Sequence, residues 1–159
     1  MAVIFAIDPG NTESGYALIQ MPDFRLLDFG KVGNESLLRD VPFVASQADS
    51  FAVEMVASYG MPVGRDVFET CVWIGRFIQQ ADVEHHFVYR KDEKLCLCGS
   101  LKAKDSNIRQ ALIDRYAKFD FKNGKGTKKN PDTFYGVAKD VWQAIAVGVT
   151  HYERMKENE

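Results

Sequence analysis

The sequence lacks the features of membrane-spanning, exported and disulfide-stabilised proteins. No apolar run approaches the roughly 18 residues that a membrane span needs. The apolar run at the N-terminus has no basic residues before it and leads directly into an acid, so it does not resemble a signal peptide. The three cysteines are an odd number, and Cys96 and Cys98 have no second pair to complete a zinc site. We therefore expect a cytosolic protein with reduced thiols and no membrane partner.

Several catalytic motifs are also missing. There is no G-x-x-x-x-G-K-[ST] phosphate loop, and no Ser/His/Asp or Cys/His set competes for a nucleophilic role. His85 and His86 are adjacent, and neighbouring residues of a strand point to opposite faces, so they do not easily share a metal ion. The 159 residues suit one domain, which we expect to span 1–159.

Charge is distributed unevenly along the chain. The net charge of −2 alone would argue weakly against a nucleic-acid partner. Residues 1–89 hold five Lys/Arg against twelve Asp/Glu, 90–129 hold twelve against five, and 130–159 hold three against five. The segments thus carry −7, +7 and −2. The basic block predicts binding to a polyanion, and the alternative is a solvated loop with no partner. Its lysine-rich and glycine-containing part, 118–131, predicts a mobile basic loop.

Short apolar runs alternate with helical patterns, which indicates an α/β fold with a mixed sheet flanked by helices. The five predicted strands are Val3–Ile7, Ser14–Gln20, Arg25–Val32, Ser50–Ala57 and His86–Tyr89. The predicted helices are Asn34–Gln47, Arg65–Ala81, one with Asp105 or Ser106 as its N-cap, and Asp132–Arg154. Asn34 is a candidate N-cap, and Pro42 predicts that the first of these helices is broken into short pieces.

Three acids lie where such a fold could bring them together. Asp8 ends a buried strand before Pro9-Gly10, Glu54 lies within an apolar run, and Asp140 lies in the last helix. Because a buried bare carboxylate is costly, Glu54 needs a partner, a metal ion or a proton. Mg²⁺ prefers oxygen ligands, so the three acids predict a divalent cation site. The alternatives are that Asp8 only shapes a turn, and that Asp140 is a surface acid, solvated or paired with Lys139.

Two helices carry further signals. Lys102 and Lys104 precede a helix N-terminus, where a bound phosphate would suit both the lysines and the free backbone N–H groups. The helix over Arg65–Ala81 has an apolar stripe, and Trp73 and Phe77 fall outside it. A helix that is apolar on more than one face packs on both sides, either between the sheet and a second subunit or fully buried within one.

The order and spacing of several short motifs resemble the RuvC-type Holliday junction resolvases, and look closer to their phage-encoded relatives than to the bacterial enzymes. The motifs are Ile7-Asp8-Pro9-Gly10 with Ser14-Gly15-Tyr16, Val53-Glu54, Gly75-Arg76, Gly99-Ser100-Leu101-Lys102-Ala103-Lys104, and Asp140 with Ala144-Ile145-Ala146 and Thr150-His151. The resemblance spans nearly the whole chain. It implies a ribonuclease H-like five-stranded fold, a homodimer, dependence on Mg²⁺ or Mn²⁺ with two ions per active site, and paired nicks across four-way DNA junctions.

The resemblance also implies roles for individual residues. By position, Asp8, Glu54 and Asp140 match three metal-binding acids, and Lys102 and Lys104 match basic residues near the cleaved phosphate. Where the family has a fourth acid, this chain has Gln143, whose amide oxygen is a weaker ligand. Tyr59 is a substitute for a side chain that stacks at the crossover. The further DNA-binding candidates are Arg76, Arg109, Lys118, Lys122, Lys125, Lys128 and Lys129.

Our leading hypothesis is therefore a metal-dependent endonuclease that resolves branched DNA. Gln143 suggests an alternative, a junction-binding protein with weak or lost nuclease activity. An ATP-binding domain of the actin-like group is a third hypothesis, because that related fold also begins with a strand that ends in an acid. The length opposes it, since such proteins need two domains around the nucleotide.

Overall fold

A computed structural model describes residues 1–159, and at its centre is a five-stranded mixed sheet. The spatial order is β3-β2-β1-β4-β5. The first three strands pair antiparallel, whereas β1, β4 and β5 run parallel. The bounds are β1 Ala2–Asp8, β2 Glu13–Met21, β3 Arg25–Gly33, β4 Ser50–Glu54 and β5 His86–Val88. All five predicted strands are present, and the predicted fold class is confirmed.

Helices cover both faces of the sheet. Their bounds are α1 Asn34–Gln47, α2 Arg65–Ala81, α3 Arg90–Glu93, α4 Asp105–Tyr116 and α5 Asp140–Glu157, and a π-helical turn, Lys94–Cys98, follows α3 directly. One hydrophobic core lies between α1, α2 and the sheet, and a larger one joins α4 and α5 to the opposite face. None of these helices has the length and apolar character needed to cross a membrane.

The last helix, α5, lies very close to the two central strands. A Cβ added at Gly148 would approach Ile19 Cδ1 to 2.7 Å and Ala6 Cβ to 3.3 Å. Ala144 and Ala146 are fully buried on the same helix. Small residues therefore allow this close approach, and the helix is held against the sheet.

Two expectations for the first helix are wrong. α1 is one continuous helix with Pro42 inside it, because Leu37, Val41 and Ala45 bury one face along its whole length and outweigh the lost backbone donor. The N-cap is Gly33 rather than Asn34. The Asn34 side chain is buried, accepts a hydrogen bond from Ser14 Oγ at 2.6 Å and donates to the Gly10 carbonyl at 2.9 Å. It thereby fixes the turn that follows β1.

The last helix starts eight residues later than predicted, at Asp140 rather than Asp132. Asp132 is buried and its carboxylate accepts backbone hydrogen bonds from Lys118, Phe119, Asp120 and Thr133, at 2.7–3.0 Å for the shortest of each. An acid with four backbone donors organises a loop, so 132–139 forms turns instead of helix. The mobility expected of 118–131 stays a prediction.

Three smaller expectations also need correction. β4 ends at Glu54, so this acid lies at the end of a strand and not in the middle of one. Phe77 is fully buried on the inner face of α2 and does not fall outside its packed stripe. α4 is preceded by Lys104 as its N-cap residue, and Asp105 is its first residue.

Candidate active site

Two of the predicted acids end neighbouring parallel strands. Asp8 is the last residue of β1 and Glu54 the last of β4, and the residues just before them, Ile7 and Val53, are paired in register. Because the carboxyl ends of parallel strands meet at one edge of a sheet, the two acids are neighbours there. The alternative in which Asp8 only shapes a turn does not account for this pairing.

The third acid, Asp140, lies at the same edge, but it belongs to helix α5 and not to a strand of the sheet. Asp140 is the first residue of α5, and it lies over Gly15, the β2 residue that pairs with Asp8. A Cβ added at Gly15 would come within 2.6 Å of the Asp140 carbonyl oxygen, so only glycine allows this approach. The preceding Lys139 has a positive φ of 49°, a strained conformation for a residue with a side chain. The helix N-terminus thus brings Asp140 to Asp8.

A small polar cavity of about 210 Å³ opens at this edge. Seven of its nine lining residues are charged or polar, and the full set is Asp8, Arg90, Asp105, Ile108, Arg109, Lys139, Asp140, Trp142 and Gln143. Acids and cations therefore face one another across the same space.

The electrostatics of Asp8 are unusual for a carboxyl group. Burial raises its pKa to about 8, and the charges of Glu54 and Asp140 add to the effect. Asp140, Glu54 and Asp105 each form an ion pair, whereas Asp8 forms none. A half-buried carboxylate among other acids and without an ion pair is costly, which makes such a group a candidate for function.

Two cations hold the remaining acids. Arg90, just past β5, donates from Nη2 to Glu54 Oε1 at 3.2 Å and from Nη1 to Asp105 Oδ1 at 2.6 Å. Lys31 on β3 lies 2.9 Å from Asp140 Oδ2, so Asp140 pairs with Lys31 rather than with Lys139. Sequence reasoning missed both cations as site residues. Arg90 follows an apolar strand directly, which was the available signal, whereas only the sheet register brings Lys31 to Asp140.

Gln143 and Glu93 complete the inner part of the site. The Gln143 amide nitrogen donates to Glu54 Oε2 at 3.1 Å and also to Glu93 Oε1. Glu93 is fully buried, and burial beside Glu54 raises its pKa well above the ordinary value. With the amide nitrogen directed at two carboxyl groups, Gln143 has only its amide oxygen left to offer a cation. Glu93 was not predicted, since it lies in a charged stretch without periodicity.

The other predicted residues lie outside the cavity lining, with the exception of Arg109. Lys102 and Lys104 are exposed at the start of α4, and Lys118, Lys122, Lys128 and Lys129 are exposed in the basic loop, where Lys125 is half-buried. Tyr59 is exposed and lines a neighbouring groove of about 450 Å³ with Arg90, Lys91, Lys94 and Leu101. Arg76 lies on α2, 4.2 Å from the centre of the Trp73 ring.

The chemistry of these groups fits a hard divalent cation. No three His, Cys, Asp or Glu side chains are arranged as a preformed metal site. The available donors are nevertheless carboxylate and amide oxygens, the ligands that Mg²⁺ and Mn²⁺ prefer. Asp8 forms no ion pair, and one buried oxygen of Glu93 has no hydrogen-bond partner, so a cation could bind these groups by displacing their protons. Asp8, Glu54, Asp140 and Gln143 could hold such an ion.

Two solved structures of RuvC from Thermus thermophilus are similar to this chain over nearly its whole length. The one in complex with a Holliday junction substrate gives a TM-score of 0.70 at 18% sequence identity, covering 98% of this chain and 97% of the other. The chain has a RuvC-like fold. A second Thermus thermophilus RuvC structure gives a TM-score of 0.65 at 18% identity, covering 97% of this chain and 96% of that one.

The structural likeness is not accompanied by a match in sequence. No protein-family model matches the chain, and no curated protein matches it. At 18% identity the similarity to RuvC establishes the fold, and a fold by itself does not determine activity. The fold implied by the sequence motifs is confirmed, and the closer relation to phage-encoded members stays a prediction.

Proposed function

We propose that the protein is a divalent-metal-dependent endonuclease that hydrolyses phosphodiester bonds in branched DNA, four-way junctions above all. The observation that carries this proposal is the meeting of Asp8, Glu54 and Asp140 at one edge of a RuvC-like sheet. One of the two RuvC structures with this fold is in complex with a Holliday junction substrate. The cofactor in the proposal is Mg²⁺ or Mn²⁺, with two ions per active site.

A divalent cation held by these residues would supply an activated water molecule and would stabilise the leaving oxygen of a phosphoryl displacement. In this account Asp8, Glu54 and Asp140 are the ligands, with the amide oxygen of Gln143 as a weaker one. Arg90 orients Glu54 through the hydrogen bond between them, and Lys31 does the same for Asp140. Arg109 and Lys139 line the same cavity and form no ion pair with these acids, so they are free to face a phosphate.

The binding surface in this proposal is the basic block, of which Arg90 and Arg109 line the cavity. Lys102 and Lys104 lie at the N-terminus of the twelve-residue helix α4, where backbone N–H groups and lysines both favour a phosphate. The loop lysines extend the positive surface, and Tyr59 offers an aromatic face beside Arg90 and Lys91 for an unstacked base. Binding through phosphates would weaken steeply with added salt.

A homodimer is part of the proposal because a junction has two equivalent strands to cut. α2 buries Ile74 and Phe77 against the sheet, while Phe68 and Val72 on its opposite side are each 61% exposed. Full burial of α2 within one subunit is therefore not observed. An apolar surface of this kind favours a second copy of the chain as its partner.

The experiment that tests this function is cleavage of a labelled four-way junction. We expect wild-type protein to cut the junction with Mg²⁺ or Mn²⁺ and to leave it intact with EDTA. Asp8→Asn is expected to bind the junction and to lose at least about a thousand-fold in rate, since a central ligand is removed. Asp114→Asn, at an exposed position on α4, is the matched control and should cut normally. Equal cleavage by Asp8→Asn and wild type would contradict the proposal.

Gln143 favours a second candidate, a protein that binds junctions and does not cut them. Its amide nitrogen is used by Glu54 and Glu93, and an amide oxygen binds a divalent cation more weakly than a carboxylate. Junction binding without cleavage across several divalent cations would support this candidate against the first.

A further inference from the structure

Glu93 has a carboxyl group in buried surroundings that disfavour its ionised form. It ends α3, its side chain is fully buried, and the π-helical turn begins at the next residue. Its Oε1 accepts a hydrogen bond from Gln143, and its Oε2 has no hydrogen-bond partner. The nearest cation is Arg90, whose Nε lies 3.9 Å from Oε1, beyond hydrogen-bonding distance. Glu93 is thus neither exposed to water nor fully paired.

The charges around Glu93 do not balance. Five acids gather at this edge of the sheet, and only Arg90 and Lys31 form ion pairs with them. Arg90 is shared between Glu54, Glu93 and Asp105, so it does not neutralise all three. The five acids are Asp8, Glu54, Glu93, Asp105 and Asp140. A divalent cation would displace protons from these crowded acids and balance their charge.

A purely structural role does not explain a glutamate at this position. A buried acid that is incompletely paired is costly, and an amide or apolar side chain of the same size fills the space at lower cost. Glutamine would keep the acceptor for the Gln143 amide. The carboxyl group therefore has a use that an amide does not meet.

We propose that Glu93 is the fourth acidic ligand of the cation site, with its unpartnered Oε2 as the donor. This inference rests on the proposed function. It accounts for Gln143 as well, because the acid expected at position 143 is present one side chain away, in direct contact with that glutamine. The site then has four carboxylates, drawn from β1, β4, α3 and the start of α5.

The test is Mn²⁺ binding measured by isothermal titration calorimetry on the full chain without DNA. Glu93→Gln, which keeps the size and the acceptor, is expected to lower the affinity for Mn²⁺ by about ten-fold or more. Glu84→Gln is the matched control, since the Glu84 side chain is 85% exposed near the start of β5, and it should bind like wild type. Affinity of Glu93→Gln within two-fold of wild type would overturn the inference.

Circular dichroism on the metal-free variants establishes that each is folded. If Glu93→Gln does not fold, the exchange variant Glu93→Gln with Gln143→Glu is measured instead, because it keeps one carboxyl group and one amide in contact. This variant is expected to bind Mn²⁺ within about three-fold of wild type, and a loss beyond ten-fold would overturn the inference.

The same titration separates this inference from the function on which it rests. Wild-type protein that binds Mn²⁺ while Glu93→Gln binds it equally well contradicts the role of Glu93 alone. Wild-type protein that binds no Mn²⁺ contradicts the metal-dependent function together with this inference.

Discussion

At the scale of single residues, Asp8 forms no ion pair in the metal-free protein. It is half-buried beside two other acids, and Arg90 and Lys31 are paired with neighbouring acids. Catalytic groups are commonly kept in such unfavourable surroundings, because the same charge that destabilises the fold binds the ligand.

This arrangement predicts a pH-dependent gain in stability from Asp8→Asn. The folded-state pKa of about 8 lies above the ordinary 3.8, so between these values the folded protein holds a proton that the unfolded chain has lost. Wild-type protein in EDTA should therefore lose stability as the pH rises from about 4 to about 8. Asn is neutral throughout, so the variant should melt at least about 3 °C higher at pH 8.

Thermal unfolding in EDTA at several pH values measures this effect. The gap between Asp8→Asn and wild type should close as the pH falls below about 4, where Asp8 becomes protonated in both states. Asp114→Asn, exposed on α4, controls for the loss of a charge elsewhere. A gap that does not change with pH would show that Asp8 carries no buried charge.

At the scale of elements, the basic loop depends on one acid. The carboxylate of Asp132 accepts hydrogen bonds from four backbone N–H groups and connects the end of α4 to the turn before α5. Asp120 holds the inner part of the loop in a similar way, by accepting from Asn123, Lys125 and Gly126. The lysines are thus presented on a hydrogen-bonded scaffold.

Asp132→Ala is expected to destabilise the protein by about 2 kcal/mol, because four part-buried backbone donors lose their acceptor. That corresponds to a fall in the melting temperature of roughly 4–8 °C. These hydrogen bonds hold the pKa of Asp132 below its usual range, so its contribution is present above about pH 4 and is lost as the pH falls further. Asp114→Ala on α4 is the control. Equal melting of Asp132→Ala and wild type from pH 5 to 7 would refute this role.

Most elements could be predicted from the sequence, because apolar periodicity reports which face is buried. The five strands and α2 were found in this way. The start of the last helix was not predicted correctly, because Asp is a common residue at the beginning of a helix. Only the hydrogen bonds between Asp132 and residues 118–120 show that it belongs to a loop. Pro42 led to the wrong prediction for α1. A proline disfavours a helix locally, but the packing of α1 against the rest of the protein outweighs this effect, and that packing cannot be read from the neighbouring sequence.

The site was predictable in part for a related reason. Asp8 ends an apolar run and Glu54 interrupts one, so both acids stand out in the sequence, although the end of β4 at Glu54 was not predicted. Lys31 and Glu93 enter the site through sheet register and through the turn after β5, which depend on contacts distant in sequence. The sequence also does not reveal that the Gln143 nitrogen is engaged by two acids.

At the scale of the whole molecule, the fold brings together the charges that the sequence separates. The acidic first part contributes Asp8 and Glu54, and the basic block contributes Arg90 and Arg109 to the same edge. The net charge is only −2, yet acids cluster at this edge of the sheet with basic residues beside them. Under the proposed function, the basic residues would attract a DNA backbone and the acids would hold it through a metal ion.

The central claim is that this molecule cuts branched DNA, and the most direct test is to map the cuts on a four-way junction. Each of the four strands is labelled in turn, and products are separated on denaturing gels after incubation with Mg²⁺ or Mn²⁺. The account predicts paired nicks in two opposing strands, from a dimer with one site per subunit, and none with EDTA. A junction that is bound and stays intact with both cations would contradict it.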